Sequence, residues 1–255
     1  MSATPRHGTL YLVPTPLDFG CDTTAALTDV LPDATLRVAA GLGHWITENA
    51  KSTRAFLKRV NAIHPLSQPL QALHITELPH AVHKKGDHLG GFDARPLLQA
   101  ALDGHDLGLV SEAGMPAIAD PGASVVRAAH ALGLRVQPLV GPVSLLLALA
   151  ASGLNGQNFA FVGYLPQEAQ VRLQRLRELE ALAQRSGQTQ LFIEAPYRNP
   201  ALWAAVLQGL HAQTRVACAS GLTLPAADLR CHTVQQWRQS PPPALNLPTV
   251  FAIGI

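Results

Sequence analysis

The stretch Val110–Gly122, VSEAGMPAIADPG, decides how the rest of the chain is interpreted. It follows DLGLV at 106–110, an apolar run typical of a buried parallel strand, and it leads into a segment that begins a helix. Ligands of open α/β sheets bind beyond the carboxyl ends of the strands, where loop amides and helix N-termini point outward. Two glycines permit a close approach of the backbone, and two prolines fix its path. The stretch therefore predicts the floor of a ligand site, with helix capping by Asp120 as the alternative.

Composition and charge limit the class of protein. Of the 255 residues, 47% are hydrophobic and only 14% are charged, which indicates a folded protein with a large core. The longest apolar run, 145–151, is too short to cross a membrane, and the N-terminus lacks a signal-peptide pattern. Three widely spaced cysteines predict neither a disulfide framework nor a zinc site, so we expect a cytoplasmic protein. The net charge of +2 does not decide for or against a nucleic-acid partner.

Apolar runs alternate with helical patterns, which predicts an α/β fold in two domains. The first domain, 1–153, is expected to contain strands at 8–13, 36–40, 73–75, 106–110 and 134–140. The second domain, 158–255, is expected to contain strands at 159–164, 190–194, 215–219 and 249–253. Helices are predicted at 23–31, 48–60, 96–102, from 122 onward, 145–151, 169–185 and 202–210. The boundary is placed at 153–158, where glycines and asparagines interrupt the apolar sequence.

A second glycine-containing turn, Gly141-Pro142-Val143-Ser144, joins the strand 134–140 to an apolar helix. Pro142 suits the first turn of a helix, and the backbone amides near Val143 and Ser144 could meet the carboxylate of a ligand. Capping of the helix by Ser144 is the alternative.

Two basic segments are candidates for contacts with phosphate. The helix 48–60, ENAKSTRAFLKRV, is amphipathic, and the segment 77–91, which we expect to be a flexible loop, is rich in histidine and lysine. A metal site in that loop is rejected, because no histidine has an i, i+4 partner and the lysines would repel a cation. Contacts between these two segments and phosphate would favour a nucleic-acid substrate. The alternative is that both segments are ordinary charged surface in contact with solvent. The cationic positions are Lys51, Arg54, Lys58 and Arg59 in the helix, and His80, His83, Lys84, Lys85 and His88 in the loop.

Five motifs, in this order over nearly the whole chain, resemble the tetrapyrrole-methylase superfamily of S-adenosylmethionine-dependent methyltransferases. They are GTLYLVPTP at 8–16, VSEAGMPAIADPG at 110–122, VGPVSLLLALAASGL at 140–154, GYLP at 163–166 and IEAPYRN at 193–199. Within the superfamily, the chain is most similar to the 2′-O-cytidine methyltransferases of small-subunit ribosomal RNA. The resemblance implies two α/β domains with a cofactor cleft between them, usually in a homodimer.

The resemblance also assigns residues to roles. The cofactor, S-adenosylmethionine, would contact Pro14, Ser111, Glu112, Gly114, Ile118, Pro142, Val143, Ser144, Glu194 and Pro196. A ribose hydroxyl is a poor nucleophile, so a nearby base is expected, and the candidates are Glu48 and Glu112. Contacts with the phosphates of ribosomal RNA are expected from Lys51, Arg54, His83, Lys84, Lys85 and Arg198. No metal and no membrane partner are expected.

The substrate side departs from the motifs that are usual in that branch. The chain has TPLDF at 15–19 in place of TPIGN, ENAK at 48–51 in place of EDTR, SEAGMP at 111–116 in place of SDAGTP, and IEAPYR at 193–198 in place of YESPHR. These departures keep two alternatives open beside RNA methylation. The methyl acceptor could be a small molecule or a protein, or the chain could bind the cofactor with little catalysis.

Overall fold

The computed structural model describes residues 7–18, 20–85, 87 and 91–255, and it contains two compact α/β units. Unit 1 comprises Met1–Phe19 and Ala25–Val143, and unit 2 comprises Gly20–Thr24 and Ser144–Ile255. The predicted fold class is confirmed. The division falls at Val143, ahead of the linker predicted at 153–158, because the helix Ser144–Ser152 packs on strands of the second sheet.

Unit 1 contains a five-stranded sheet in which every pairing is parallel. Its strands are β1 (Thr9–Leu12), β2 (His44–Thr47), β3 (His74–Glu77), β4 (Leu107–Val110) and β5 (Arg135–Pro138), in the order β3-β2-β4-β1-β5. The predicted strand before the 110–122 loop is confirmed as β4, which is buried along its whole length between β1 and β2. Because the strands are parallel, their carboxyl ends share one edge of the sheet, and the loop 111–122 leaves from that edge.

Helices and 3₁₀ turns connect these strands. The α-helices are α1 (Leu27–Val30), α2 (Asp33–Gly41), α3 (Ala50–Asn61), α4 (His80–Lys85), α5 (Gln99–Leu102) and α6 (Ala123–Ala131). Short 3₁₀ turns occupy Leu70–Ala72 and Arg95–Leu98. The predicted amphipathic helix is confirmed as α3, which buries Phe56, Leu57 and Val60 on one face.

Two predictions about unit 1 were wrong. Residues 36–40, predicted as a strand, lie in α2, where Leu36, Ala39 and Ala40 are buried at helical spacing on one face. The flexible loop predicted within 77–91 contains helix α4. Gly86 and residues 88–90 lie outside the described residues, and so do the side chains of His83, Lys84 and Lys85.

Unit 2 contains a mixed five-stranded sheet. Its strands are β6 (Phe159–Tyr164), β7 (Thr189–Glu194), β8 (Arg215–Ser220), β9 (Asp228–Thr233) and β10 (Thr249–Gly254), in the order β6-β7-β10-β8-β9. Strands β6 and β7 pair in parallel, and the remaining pairs are antiparallel. The helices are α7 (Ser144–Ser152), α8 (Ala169–Ser186), α9 (Asn199–Gly209) and α10 (Val234–Trp237), with a 3₁₀ turn at Pro196–Arg198. In the described part of the chain, no helix is both long and apolar enough to span a membrane.

Candidate active site

Three loops of unit 1 meet at the carboxyl edge of its sheet. Thr15, after β1, and Gly114, after β4, exchange backbone hydrogen bonds with N–O distances of 2.9 and 3.1 Å. A Cβ atom on Gly114 would lie 3.5 Å from the carbonyl oxygen of Pro142, and one on Gly141 would lie 2.3 Å from Cγ of Pro14. Gly141 is therefore required where these loops touch, because a side chain there would overlap Pro14, whereas Gly114 is favoured by its positive φ angle. Residues of three separate motifs, predicted to contact one cofactor, come together here.

The loop 111–122 has an uncommon backbone. Gly114 and Gly122 have φ angles of 72° and 136°, which glycine adopts readily. Ala117 and Ala119 also have positive φ angles, 65° and 64°, although a left-handed conformation costs a residue with a Cβ about 1–2 kcal/mol. Conformations of this kind persist only where the surrounding structure enforces them, and they concentrate at functional sites.

The carboxylate that holds the end of this loop is Asp87. Its Oδ2 accepts hydrogen bonds from the Gly122 amide (2.9 Å), the Ser124 amide (2.8 Å) and the Ser124 hydroxyl (2.6 Å). Burial favours the protonated form, but the hydrogen bonds from Ser124 and Gly122 outweigh burial and lower the pKa of Asp87. The first turn of α6 is therefore capped by Asp87, and the alternative that Asp120 caps it is wrong.

Three carboxyl groups lie near one another beside the loop. The Glu48 amide donates to the Val110 carbonyl (3.3 Å), and the Glu112 amide donates to Oε2 of Glu48 (3.4 Å). Burial raises the pKa of Asp120 to about 7, and the negative charges of Glu48 and Glu112 add to the rise, while a hydrogen bond with Ser111 opposes it. The structure thus brings both predicted base candidates together and adds a third acid, Asp120, that is only partly ionised at pH 7. Among the described residues, no group of three acidic, histidine or cysteine side chains has an arrangement that could hold a metal ion.

The residues around these loops suit a ligand that carries a sulfonium and an amino-acid end. The carboxyl groups favour a positive charge. In the described part of the chain, the backbone amide of Val143 has no hydrogen-bond acceptor, so it can donate to a carboxylate. Ser111 and Pro142 are buried in the floor, whereas Ile118 presents an apolar side chain that is 44% exposed.

The predicted cofactor residues of unit 2 have other contacts. Glu194 ends β7, and its buried Oε1 accepts from the Ala195 amide (2.8 Å) and from Nε (2.8 Å) and Nη2 (2.6 Å) of Arg198. Pro196 begins the 3₁₀ turn, and Ser144 is the first residue of α7. Arg198 was predicted to contact phosphate, but its positive charge is paired with the carboxylate of Glu194.

The basic face of α3 contains free and paired cations. Lys51, Arg54 and Lys58 are exposed and have no ion pair in the described part of the chain. Arg59 instead binds Asp18 (Nη1–Oδ2, 3.1 Å) and donates to the Ala25 carbonyl (2.6 Å), so it fixes the loop after β1. The side chain of Asn49 caps α3 by accepting from two backbone amides, those of residues 51 and 52.

The chain is thus an α/β protein of two units, in which three loops of unit 1 meet at the carboxyl edge of a parallel sheet. Two solved methyltransferases share the fold. The methyltransferase CobJ aligns with a TM-score of 0.57 and 16% identity over 97% of this chain and 93% of that one. A uroporphyrin-III-C-methyltransferase from Thermus thermophilus aligns with a TM-score of 0.51 and 16% identity over 97% of this chain and 94% of its own.

The chain belongs to the tetrapyrrole (corrin/porphyrin) methylase family, whose pattern matches residues 9–236. It is 32% identical to ribosomal RNA small subunit methyltransferase I of Vibrio cholerae over 84% of this chain and 65% of that protein. Identity with the protein of the same name from Pseudomonas aeruginosa is 35%, over 75% of this chain and 58% of that protein. The alignments thus span less than two thirds of these relatives. The predicted family and branch are confirmed.

Proposed function

We propose that the protein is an S-adenosylmethionine-dependent methyltransferase that methylates a ribose 2′-hydroxyl of small-subunit ribosomal RNA. The observation that carries the proposal is the 32–35% identity to proteins named ribosomal RNA small subunit methyltransferase I. The geometry of unit 1 supports it, since loops from three motifs meet beside a carboxyl cluster. A ribosomal acceptor would place the protein in the cytoplasm.

The reaction requires alignment, exclusion of water and one proton transfer. S-adenosylmethionine, when bound, supplies a methyl group on a positively charged sulfur. The ribose oxygen forms its bond to the methyl carbon as the sulfur–carbon bond breaks, so the two must be held in line. Glu48 and Glu112 are the proposed acceptors of the hydroxyl proton, because a carboxylate beside the ribose oxygen can take the proton as the bond to the methyl carbon forms.

The proposed cofactor contacts in unit 1 are Pro14, Ser111, Glu112, Gly114, Ile118, Pro142 and Val143. Gly114 contributes the shape of the loop rather than hydrogen bonds, since Thr15 already uses its backbone amide and carbonyl. The assignment of Ser144, Glu194 and Pro196 in unit 2 rests on the family resemblance alone.

Methyl transfer to small ribosomal subunits tests the reaction. The protein is incubated with labelled S-adenosylmethionine and small subunits purified from cells that lack the corresponding methylation. We expect label in the ribosomal RNA, and resistance of one internucleotide bond to alkali, because a 2′-O-methyl group blocks that cleavage. If calorimetry shows that the protein binds S-adenosylmethionine but no label enters the RNA, ribosomal RNA is not the methyl acceptor. Absence of cofactor binding would contradict the whole proposal.

The basic face of α3 predicts a dependence of RNA binding on salt. Removing two phosphate contacts with Lys51→Ala and Arg54→Ala should make the slope of log K against log salt concentration shallower by about 1.4, at roughly 0.7 per contact with single-stranded RNA. The control is Arg95→Ala, an exposed arginine that is already paired with Asp93 (2.8 Å) and should leave the slope unchanged. Equal slopes for the double variant and the wild type would show that α3 does not contact the RNA backbone.

The proposal includes a homodimer. Helix α7 presents apolar side chains to solvent, among them Leu146 (49% exposed) and Leu147 (40% exposed). Exposed apolar side chains on one helix are typical of a surface that a partner covers. Light scattering on the purified chain measures its mass, and the mass of a monomer at micromolar concentration would contradict a stable dimer.

A further inference from the structure

Two of the three tyrosines of the chain are exposed at the carboxyl ends of neighbouring strands. Tyr164 is the last residue of β6, pairs in register with Ile193 of the parallel strand β7, and is 59% exposed. Tyr197 follows β7 by three residues and is 79% exposed, more than any other large hydrophobic side chain in the described part of the chain. A tyrosine ring has a large apolar surface that is usually buried in part, so this exposure leaves area for a partner.

Arg198 lies against the ring of Tyr197. Tyr164 lies at the same edge of the sheet, in register with Ile193, which precedes the Arg198 partner Glu194. The guanidinium carbon of Arg198 lies 5.2 Å from the centroid of the Tyr197 ring. The hydrogen bond to Glu194 is the main reason why the pKa of Arg198 is raised, and the phenol groups of Tyr197 and Tyr164 add to the rise. Because Glu194 is only 2% exposed and holds Arg198 through two nitrogens, the guanidinium has a fixed position.

We propose that Tyr164, Tyr197 and Arg198 form a stacking platform for an unpaired base of the RNA substrate, an inference that rests on the proposed function. Proteins bind unpaired RNA bases by stacking them on aromatic rings and guanidinium planes. Glu194 matches the charge of Arg198, so the platform contributes ring contact rather than neutralisation of phosphate. Binding here is therefore expected to respond to loss of the ring and to be nearly independent of salt, unlike binding to the basic face of α3.

The test is binding of a short unstructured RNA oligonucleotide that carries 2-aminopurine, a base whose fluorescence changes when it stacks. The full chain is used without cofactor. Tyr197→Ala should weaken binding roughly five- to hundredfold, the range found when one stacking aromatic is removed, with no change in the salt slope. Tyr197→Phe keeps the ring and should bind within about twofold of the wild type, since stacking does not need the hydroxyl.

Phe159 provides a matched control. It is an aromatic residue at the amino end of β6, the strand that ends at Tyr164, and it is 41% exposed. It therefore lies at the opposite end of that strand from the platform. Phe159→Ala should therefore leave oligonucleotide binding unchanged.

Three outcomes would overturn the platform. In the first, Tyr197→Ala binds the oligonucleotide as tightly as the wild type does. In the second, the wild type does not bind the oligonucleotide. In the third, Tyr197→Ala loses affinity for S-adenosylmethionine while it still binds RNA. The measurement needs no methyl transfer. Normal stacking without methylation of ribosomal RNA would contradict the proposed reaction and support the platform, so the two failures are distinguishable.

Discussion

Replacing Asp87 with alanine is expected to lower the free energy of unfolding by about 2–4 kcal/mol, the sum of a lost helix cap and of buried donors left without an acceptor. One oxygen of Asp87 accepts from the Gly122 amide and from the amide and hydroxyl of Ser124. All three donors lie at the start of α6, where the backbone amides have no partner within the helix. Urea denaturation of the wild type and the variant at pH 7 measures the difference.

The sign of the pH dependence follows from the lowered pKa of Asp87. A carboxyl whose folded pKa lies below its ordinary value of 3.8 stabilises the fold above pH 3.8, and this contribution is lost as the pH falls through the folded pKa. Asp22→Ala is the control, because Asp22 is an exposed carboxylate and surface substitutions of this kind change stability little. If both variants unfold at the same urea concentration, Asp87 does not hold the loop as described.

The central loop was predictable because its signals are local. An apolar strand followed by paired glycines and prolines predicts a tight βα connection, and the structure confirms β4 and the helix that starts at Ala123. The helix α3 was predictable for the same reason, since its apolar residues recur at helical spacing within twelve residues.

The errors arose where local patterns are ambiguous. The short apolar segment LRVAA at 36–40 fits either a strand or one face of a helix. Pro32 and Asp33 at the start of α2 favour the helix. Strand β2, HWIT, was missed because only Trp45 and Ile46 are apolar in its four residues. Strand β9, DLRCHT, has half-buried positions throughout and no long apolar run.

The contacts that define the site lie far apart in the sequence, so the sequence pattern does not reveal them. Asp87 caps a helix that starts 36 residues later, and its neighbours in sequence suggested only a basic loop. Asp18 stands where the related branch has glycine, and its partner Arg59 is 41 residues away. The sequence pattern therefore groups Arg59 with the other cationic positions of the helix, although Arg59 supports the fold.

Asp120→Asn is expected to stabilise the fold above pH 7 and to change it little at pH 4. The folded protein holds the pKa of Asp120 at about 7, against 3.8 ordinarily, so the fold favours the protonated carboxyl. Stability from this group is fully present below pH 3.8 and is lost as the pH rises to about 7, where the native state must carry a partly buried charge. The full difference in pKa corresponds to roughly 4 kcal/mol at most, and screening of the half-buried group reduces the expected gain to about 1–3 kcal/mol.

Thermal unfolding of the wild type and of Asp120→Asn between pH 4 and 8 measures this gain in stability. The control is Asp22→Asn, which alters an exposed carboxyl and should follow the wild type at every pH. Glu48→Gln tests the cause. Since the charge of Glu48 contributes to the raised pKa of Asp120, its removal should shift the loss of stability to lower pH. Parallel curves for the wild type and Asp120→Asn would mean that Asp120 ionises normally in the fold. Asp120 would then be fully ionised at pH 7, and its negative charge would add to those of Glu48 and Glu112 beside the loop.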